Sequence, residues 1–142
     1  MRQNVQFVTV AVKDLEVSRR FYSDGLGWRP VLDLDEVVFY QVGHGLLLSL
    51  FSLLDFAADV GAPISIDSGF SLGQVVETKA EVDDAIERAR AAGAKILKEP
   101  QGAAFGGYHS YFADPDGHRW EVAWNPGFSV DEDGTVSISE IN

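Results

Sequence analysis

The sequence predicts an α+β fold in which a strand, a helix and three further strands (βαβββ) occur twice in succession. Two observations support this prediction. Alternating and helix-periodic apolar patterns follow one another in the same order in both halves of the 142 residues. The strand ends Val12 and Val76 lie 64 residues apart, and a helix start follows each of them. This spacing indicates a tandem repeat of one structural unit.

The first unit is predicted over about residues 5–52. Asp14 is placed to cap the helix, and Gly25 and Gly27 are placed to end it. In chain order, the unit begins with a strand at residues 5–12 and a helix at 15–23. A short extended segment near Val31 and two strands at 36–42 and 46–51 follow.

The second unit is predicted over about residues 70–125. Thr78 and Glu81 have the spacing of a capping box, and apolar residues at helical spacing follow until Gly93. The unit begins with a strand at residues 70–76 and a helix from Thr78 onward. An extended segment at 94–97 and two strands at 108–113 and 118–124 follow.

We expect one domain over residues 1–142, in which a connecting segment, 53–69, joins the units. A single helical turn is expected between residues 53 and 59. A tail over 126–142 has its own turn before residues 135–138. The tail either adds an edge strand or packs on a partner, and the sequence leaves these alternatives open.

Composition limits the partners. The 22 acidic residues outnumber the 11 basic ones, which gives a formal net charge of −11. Such a chain repels a phosphate backbone, so we expect no nucleic-acid partner, and a ligand would be neutral or cationic. There is no cysteine, which excludes disulfides and thiolate sites. No apolar run reaches the about 18 residues of a membrane span, and no signal-like segment begins the chain. We therefore expect no membrane contact and a cytoplasmic location.

Two stretches resemble a known family. Residues 8–22, followed by Gly25-Leu26-Gly27-Trp28, are similar to the opening of vicinal oxygen chelate proteins, and residues 111–122 are similar to their closing hairpin. This superfamily includes glyoxalase I, extradiol dioxygenases, fosfomycin-resistance enzymes and bleomycin-resistance proteins. The resemblance covers about residues 5–125. It implies a curled antiparallel half-barrel sheet with the helices outside, a ligand in the cleft of that sheet, and a homodimer.

Strand alternation predicts which side chains line the cleft. If Asp114 pairs with Gly117, the residues at 108, 110 and 112 share a face with Arg119 and Glu121, whereas Tyr111 and the residues at 120, 122 and 124 pack against the helices. Residues 102–107 are interpreted as a flap over the cleft, with Phe105 at its tip. The predicted ligand-binding residues are Phe7, Thr9, Ser49, Phe51, Ser71, Phe105, Tyr108, Ser110, Phe112 and Arg119.

Metal-dependent members of the family hold an ion with His, Gln and Glu from four cleft strands. The resemblance places those positions here on Phe7, Ser49, Ser71 and Glu121. Only Glu121 can ligate a metal, whereas a catalytic site normally supplies about three protein ligands. Even a register slip that recruits Gln6 or Gln74 supplies no histidine. We therefore predict no metal, with a divalent ion as the alternative.

The three histidines are predicted to lie outside the site. His44 and His118 are in or beside turns, and His109 falls on the face opposite Glu121 in the predicted register. A site that combines His109 with Glu121 would require an error in that register. Glu121 itself is the candidate catalytic residue, because a carboxylate in an apolar cleft can act as a general acid or base.

Three functions fit these features. The first is a metal-independent small-molecule-binding protein of the bleomycin-resistance type, which sequesters an apolar, aromatic or cationic ligand in the cleft. The second is an enzyme, a lyase, isomerase or dioxygenase that uses Glu121 as a metal ligand or general base. The third is a non-catalytic, dimeric interaction domain. Whether the protein is an enzyme stays open at this point.

Overall fold

The computed structural model describes residues 1, 3, 5–66, 70–104 and 106–138. The chain divides into two compact units, Met1–Asp67 (unit 1) and Ser68–Asn142 (unit 2). The division falls inside the segment that was predicted to connect the repeats, and each unit contains one βαβββ module. The predicted α+β class with tandem βαβββ modules is therefore confirmed.

Unit 1 has a four-stranded sheet in the order β1-β4-β3-β2. The first helix begins where Asp14 Oδ1 accepts hydrogen bonds from the backbone N–H groups of Glu16 and Val17, and it continues as a π-helix over Arg20–Gly25. The elements are β1 (Phe7–Val12), α1 (Leu15–Arg19), β2 (Pro30–Asp33), β3 (Val37–Gly43), β4 (Leu46–Ser52) and α2 (Leu53–Val60).

Helix α2 is longer than the single turn that the sequence predicted. The Ser52 hydroxyl accepts from the Asp55 N–H and so begins the helix at the end of β4. Gly61, with a φ of 78°, ends the helix in the left-handed conformation that favours glycine. With both caps present, the helix extends to Val60, eight residues in all.

Unit 2 repeats the module with a sheet in the order β5-β8-β7-β6. The predicted capping box is confirmed, because Thr78 Oγ1 accepts from the Glu81 N–H and the Glu81 carboxylate accepts from the Thr78 N–H. The tail forms a separate two-stranded hairpin, so it adds strands of its own. The elements are β5 (Leu72–Val76), α3 (Lys79–Ala91), β6 (Lys95–Gly102), β7 (Tyr108–Ala113), β8 (Arg119–Trp124), β9 (Phe128–Val130) and β10 (Val136–Ile138).

The two four-stranded sheets differ from the predicted antiparallel arrangement at one pair each. β1 runs parallel to β4, and β5 runs parallel to β8, while the other pairs are antiparallel. The order of elements in the βαβββ module explains why its first and fourth strands are parallel. The helix returns the chain, so the second strand runs in the direction of the first, and two hairpin reversals then give the fourth strand the same direction.

One face of each sheet packs against a helix. In unit 1 this face carries the fully buried Val38, Leu48 and Leu50, together with Tyr40, whose ring lies 5.9 Å from the Tyr22 ring. In unit 2 the buried side chains of α3 cover the corresponding face; they are Val82, Ile86 and Ala89. We call the opposite face, turned away from α1 in unit 1 and from α3 in unit 2, the distal face.

None of the helices in the described part of the chain combines the length and the apolar character that crossing a bilayer requires.

Candidate functional site

The register of the β7–β8 hairpin decides which residues share the distal face of unit 2. The predicted pairing of Asp114 with Gly117 is wrong by one residue, because Asp114 N–H donates to the His118 carbonyl and Ala113 pairs with Arg119. The three residues between Asp114 and His118 form the loop. Asp114 Oδ1 accepts from the N–H groups of Asp116 and His118, and Gly117 has a φ of 89°. A type I turn followed by a left-handed residue has this form.

The corrected register moves part of the predicted cleft to the other face. Ser110 pairs with Val122 and Phe112 with Trp120, and both pairs are buried on the face toward α3. Tyr108 lies on that face as well, since its hydroxyl donates to Asp83 Oδ1 of α3 over 2.8 Å. The predicted placement of Tyr108, Ser110 and Phe112 in the cleft is therefore wrong.

His109 and Tyr111 take their place on the distal face. Tyr111 lies directly opposite Glu121 in the β7–β8 ladder, and His109 lies opposite Ala123. His109 Nδ1 and Glu121 Oε1 are 2.8 Å apart, which is a hydrogen-bond distance. The prediction that His109 and Glu121 lie on opposite faces is wrong, and the structure brings them together.

Tyr111 completes a polar cluster with this pair. Its ring meets the His109 ring edge to face, with 5.6 Å between centroids. Burial, followed by a hydrogen bond to Glu121 and the charge of that carboxylate, raises the pKa of Tyr111. The side chains of His109 and Glu121 are 12% and 27% exposed, so the cluster is shielded without being sealed from solvent. Such a cluster can orient a ligand by hydrogen bonds or move a proton.

In unit 1 the predicted distal residues share one face, as expected. Phe7 pairs with Leu47, Thr9 with Ser49, and Ala11 with Phe51. Thr9 Oγ1 and Ser49 Oγ lie 2.6 Å apart, and Ser49 is fully buried. The Phe51 ring stacks on Phe56 of α2 at 5.4 Å, whereas Phe7 is 60% exposed. This face therefore offers apolar and aromatic surface beside a hydroxyl pair.

The remaining predicted residues have different surroundings. Arg119 lies two positions before Glu121 on β8 and is exposed, and Ser71 is exposed just before β5. Phe105 lies outside the described residues. His44 is exposed in its turn, as predicted, but His118 is only 3% exposed and its ring stacks with Phe70.

The donor set does not fit a tightly bound metal ion. Among residues 1, 3, 5–66, 70–104 and 106–138, no three His, Asp or Glu side chains lie close enough together to hold one. Of the four positions implied by the resemblance, Phe7 cannot ligate and Ser71 offers only a hydroxyl. At the other two, Ser49 is hydrogen-bonded to Thr9 and Glu121 to His109. His109 and Glu121 supply two donors, fewer than the about three of a typical catalytic site.

Comparison with known proteins gives the family. A model of the Glyoxalase/Bleomycin resistance protein/Dioxygenase superfamily matches residues 4–122. The chain belongs to this superfamily. No curated protein sequence matches it.

Several solved structures of the superfamily share this fold. A glyoxalase-related enzyme from Fulvimarina pelagi is 36% identical, with a TM-score of 0.92 over 98% of this chain and 100% of that chain. A lactoylglutathione lyase from Agrobacterium tumefaciens is 26% identical, with a TM-score of 0.68 over 87% of this chain and 95% of that chain. A superfamily protein from Nocardioides, 23% identical with a TM-score of 0.73 over 89% and 87% of the two chains, supports the fold alone.

The sequence contained a signal that would have placed His109 and Tyr111 correctly. A two-residue hairpin loop favours turns with positive φ at its first central residue. Pro115 would occupy that position, and its ring fixes φ near −65°. The proline therefore favours the three-residue loop, which in turn places His109 and Tyr111 beside Glu121.

Proposed function

We propose that the protein is a small-molecule-binding member of the superfamily that takes its ligand without a protein-bound metal ion. The observation that carries this proposal is that side chains at the family's metal-ligand positions are hydrogen-bonded to other side chains of the protein. Glu121, the one residue there that could ligate a metal, is hydrogen-bonded to His109, and Ser49 is bonded to Thr9. Side chains that are already hydrogen-bonded to each other are better suited to recognise an organic ligand than to coordinate a metal ion.

The distal face of unit 1 supports an apolar or aromatic ligand. Phe7 exposes 60% of its surface, and its neighbour on the same face, Leu47, is half-buried. Apolar and aromatic surface with a few polar groups nearby is typical of small-molecule sites. The half-buried Thr9 hydroxyl, hydrogen-bonded to the buried Ser49, supplies such a polar group on this face.

The charge of the chain favours a neutral or cationic ligand over an anionic one. With a net charge of −11, the protein attracts cations and repels anions at low ionic strength. Arg119 is an exposed basic residue near Glu121 on the distal face of unit 2, and its single positive charge offsets only part of the excess of negative charge.

An enzyme is the second candidate. The His109–Glu121 hydrogen bond specifically favours it, because a carboxylate paired with an imidazole is a common arrangement for proton transfer. A neighbour with 26% identity is named a lactoylglutathione lyase. Turnover of a bound compound would separate the enzyme from the binding protein. For an interaction domain, no small molecule would stabilise the fold.

Oligomeric state, location and macromolecular partners are predicted from the sequence and from the family. A homodimer is expected because members of this superfamily commonly pair, and a cytoplasmic location is expected from the sequence. No nucleic-acid partner is expected for so acidic a chain.

The proposal is tested by thermal unfolding of EDTA-dialysed protein with three probes: indole, benzylamine and benzoate. We expect indole and benzylamine to stabilise the protein, by about 1.4 kcal/mol at ten times the dissociation constant. Benzoate should stabilise it less, and added zinc or nickel should not change these effects. If no probe stabilises the metal-free protein and stabilisation appears only with a metal, the proposal is wrong.

A matched pair of variants locates the apolar contact. Phe7→Ser removes an exposed aromatic side chain from the distal face of unit 1, and Leu54→Ser removes an 82% exposed side chain from α2 of the same unit. We expect the first variant to weaken stabilisation by indole and the second to leave it unchanged.

A further inference from the structure

The tandem repeat allows the distal faces of the two units to be compared position by position. In unit 1, Thr9 of β1 pairs with Ser49 of β4. Gly73 of β5 follows Thr9 by 64 residues, the spacing of the repeat, and it pairs with Glu121 of β8. The first unit therefore places a hydroxyl beside the polar side chain of its fourth strand, whereas the second unit places no side chain there.

Unit 1 shows what a side chain at this position contacts. Thr9 Oγ1 and Ser49 Oγ are 2.6 Å apart, so a side chain on the first strand reaches the one on the fourth. At Gly73, no heavy atom of the described residues, apart from the glycine and its chain neighbours, lies within 4 Å of where a Cβ would stand. Because Glu121 is hydrogen-bonded to His109 on the neighbouring strand β7, the space between Glu121 and Gly73 stays open.

The backbone does not require a glycine at position 73. Gly73 is not one of the glycines with a positive φ, and the β5–β8 ladder passes through it without a shift in register. A glycine inside a strand weakens it, and such a glycine often marks a bulge, a close approach of another backbone, or the approach of a ligand. The regular ladder and the open space argue against the first two. A ligand group beside Glu121 is the explanation that remains.

The chemistry of this space favours a small cation. An ionised carboxylate has about four acceptor positions, so the contact with His109 leaves Glu121 able to accept from a ligand. A protonated amine forms a stronger hydrogen bond to a carboxylate than a neutral hydroxyl does. A space that holds a threonine side chain in unit 1 fits a methylene with its ammonium group, whereas a trimethylammonium group is larger and has no N–H to donate.

Two basic side chains share the distal face of unit 2 with this space. Lys98 pairs with Tyr111, on the side of Glu121 away from Gly73, and Arg119 lies two residues before Glu121 on β8. Both are exposed, so solvent and salt screen their charges. No atom of either lies within 4 Å of the Cβ position at Gly73, which leaves room for a ligand group in direct contact with Glu121.

We propose that the space between Gly73 and Glu121 is the ligand subsite of unit 2, and that it takes the primary ammonium group of an amine, which donates a charge-assisted hydrogen bond to Glu121. The inference rests on the proposed metal-independent binding and deepens it, because it selects primary amines from the wider class of neutral and cationic ligands. Gly73 is then the residue that determines specificity, since a larger side chain would fill the subsite.

The ligand class is tested by NMR titration of EDTA-dialysed protein at neutral pH with benzylamine, benzyl alcohol and benzyltrimethylammonium. We expect benzylamine to bind about tenfold more tightly than benzyl alcohol, the order expected when a charge-assisted hydrogen bond replaces a neutral one. Benzyltrimethylammonium carries the same charge but has no donor and a larger head group, so it should bind no better than benzyl alcohol.

Gly73→Thr gives unit 2 the side chain that unit 1 has at this position. We expect benzylamine to bind this variant about tenfold more weakly, because the threonine fills the subsite and its hydroxyl reaches Glu121. Gly102→Thr is the matched control. Gly102 is also on an edge strand, has no positive φ and has an equally open Cβ position, but it pairs with Tyr108, which lies on the face toward α3. Thermal unfolding checks that both variants fold.

Glu121→Gln removes the charge and keeps the size of the side chain. In this variant we expect benzylamine and benzyl alcohol to bind with nearly equal affinity. An unchanged preference for benzylamine overturns the inference, and this result decides alone if Gly73→Thr does not fold.

The outcomes separate the two proposals. Equal affinity of benzylamine and benzyl alcohol for the wild-type protein overturns the ammonium subsite, and so does benzylamine binding that persists in folded Gly73→Thr; metal-independent binding stands in both cases. If benzylamine does not bind but indole stabilises the metal-free protein, again only the subsite is overturned. If none of these probes binds, indole included, both proposals fail.

Discussion

Glu121 shows how one residue's surroundings change its expected chemistry. From the sequence it was a lone carboxylate in an apolar cleft, for which a general acid or base role was expected. In the structure it is opposite Tyr111 and within 2.8 Å of His109 Nδ1. A carboxylate that is already hydrogen-bonded to an imidazole has less capacity left for a metal ion, which is why the same residue now suggests ligand recognition.

The pKa of Tyr111 depends on the Glu121 carboxylate. Burial raises the pKa of Tyr111, and the hydrogen bond and charge of Glu121 raise it further. We predict that Glu121→Gln lowers this pKa, because the amide carries no charge, while the burial contribution remains. NMR of ¹³C-labelled tyrosine ζ-carbons against pH measures this, and an unchanged pKa would show that Glu121 does not act on Tyr111.

The raised pKa has a consequence for stability. The folded protein holds the Tyr111 proton at a pH where the unfolded chain, with a tyrosine pKa of about 10, has lost it. The stability from this residue is therefore complete below about pH 10 and is lost as the pH rises through the folded value. In Tyr111→Phe we expect a smaller loss of unfolding free energy between neutral and alkaline pH than in the wild type.

At the scale of elements, patterns confined to one strand or helix were predicted well, and the connection between two strands was not. Alternation in β1 and β4 placed Thr9 and Ser49 on one face, and their hydroxyls meet at 2.6 Å. The capping box of α3 was also found, because its residues lie within one turn. The β7–β8 register depends instead on loop length, which the Asp114 side chain and the left-handed Gly117 determine together.

A matched pair of glycines tests the importance of this hairpin. Gly117 and Gly134 have φ values of 89° and 84°, and an added Cβ would meet no atom within 4 Å at either position. The second closes an equivalent turn in the exposed β9–β10 hairpin. We predict that Gly117→Ala lowers the free energy of unfolding by about 1–2 kcal/mol, the strain of a left-handed residue with a Cβ.

Gly134→Ala should have a smaller effect on global unfolding, because the exposed tail hairpin can open locally without the rest of unit 2. Chemical denaturation of both variants measures the difference. An equal or larger loss for Gly134→Ala would contradict the claim that the β7–β8 turn is the more important of the two.

At the scale of the whole molecule, the chain is strongly acidic and exposes several apolar side chains at a sheet edge. Strand β2 is an edge strand of unit 1, and Val31 and Leu32 on it are 58% and 46% exposed, followed by Leu34 at 43%. Exposed edge strands are commonly covered by another chain or protected by charge. These residues are therefore suited to contact with a second copy.

We predict a homodimer with twice the 15.5 kDa mass of one chain. Sedimentation velocity at tens of micromolar protein checks the mass, and Val31→Lys adds a charge to the edge strand that should shift the equilibrium toward monomer. Val136→Lys, at a 44% exposed position in the tail hairpin, is the matched control. A monomeric wild-type protein would contradict the prediction.

Ligand binding without a protein-bound metal ion is tested by the metal content of purified protein, together with thermal stability measured against nickel, zinc, manganese and ferrous ions. Wild type, Glu121→Ala and the exposed control Glu36→Ala are compared. For metal-independent binding we expect less than stoichiometric metal and no stabilisation of any of the three proteins by any of these ions. Stoichiometric metal with stabilisation that is lost only in Glu121→Ala would contradict it and would make a metal-dependent enzyme the better description.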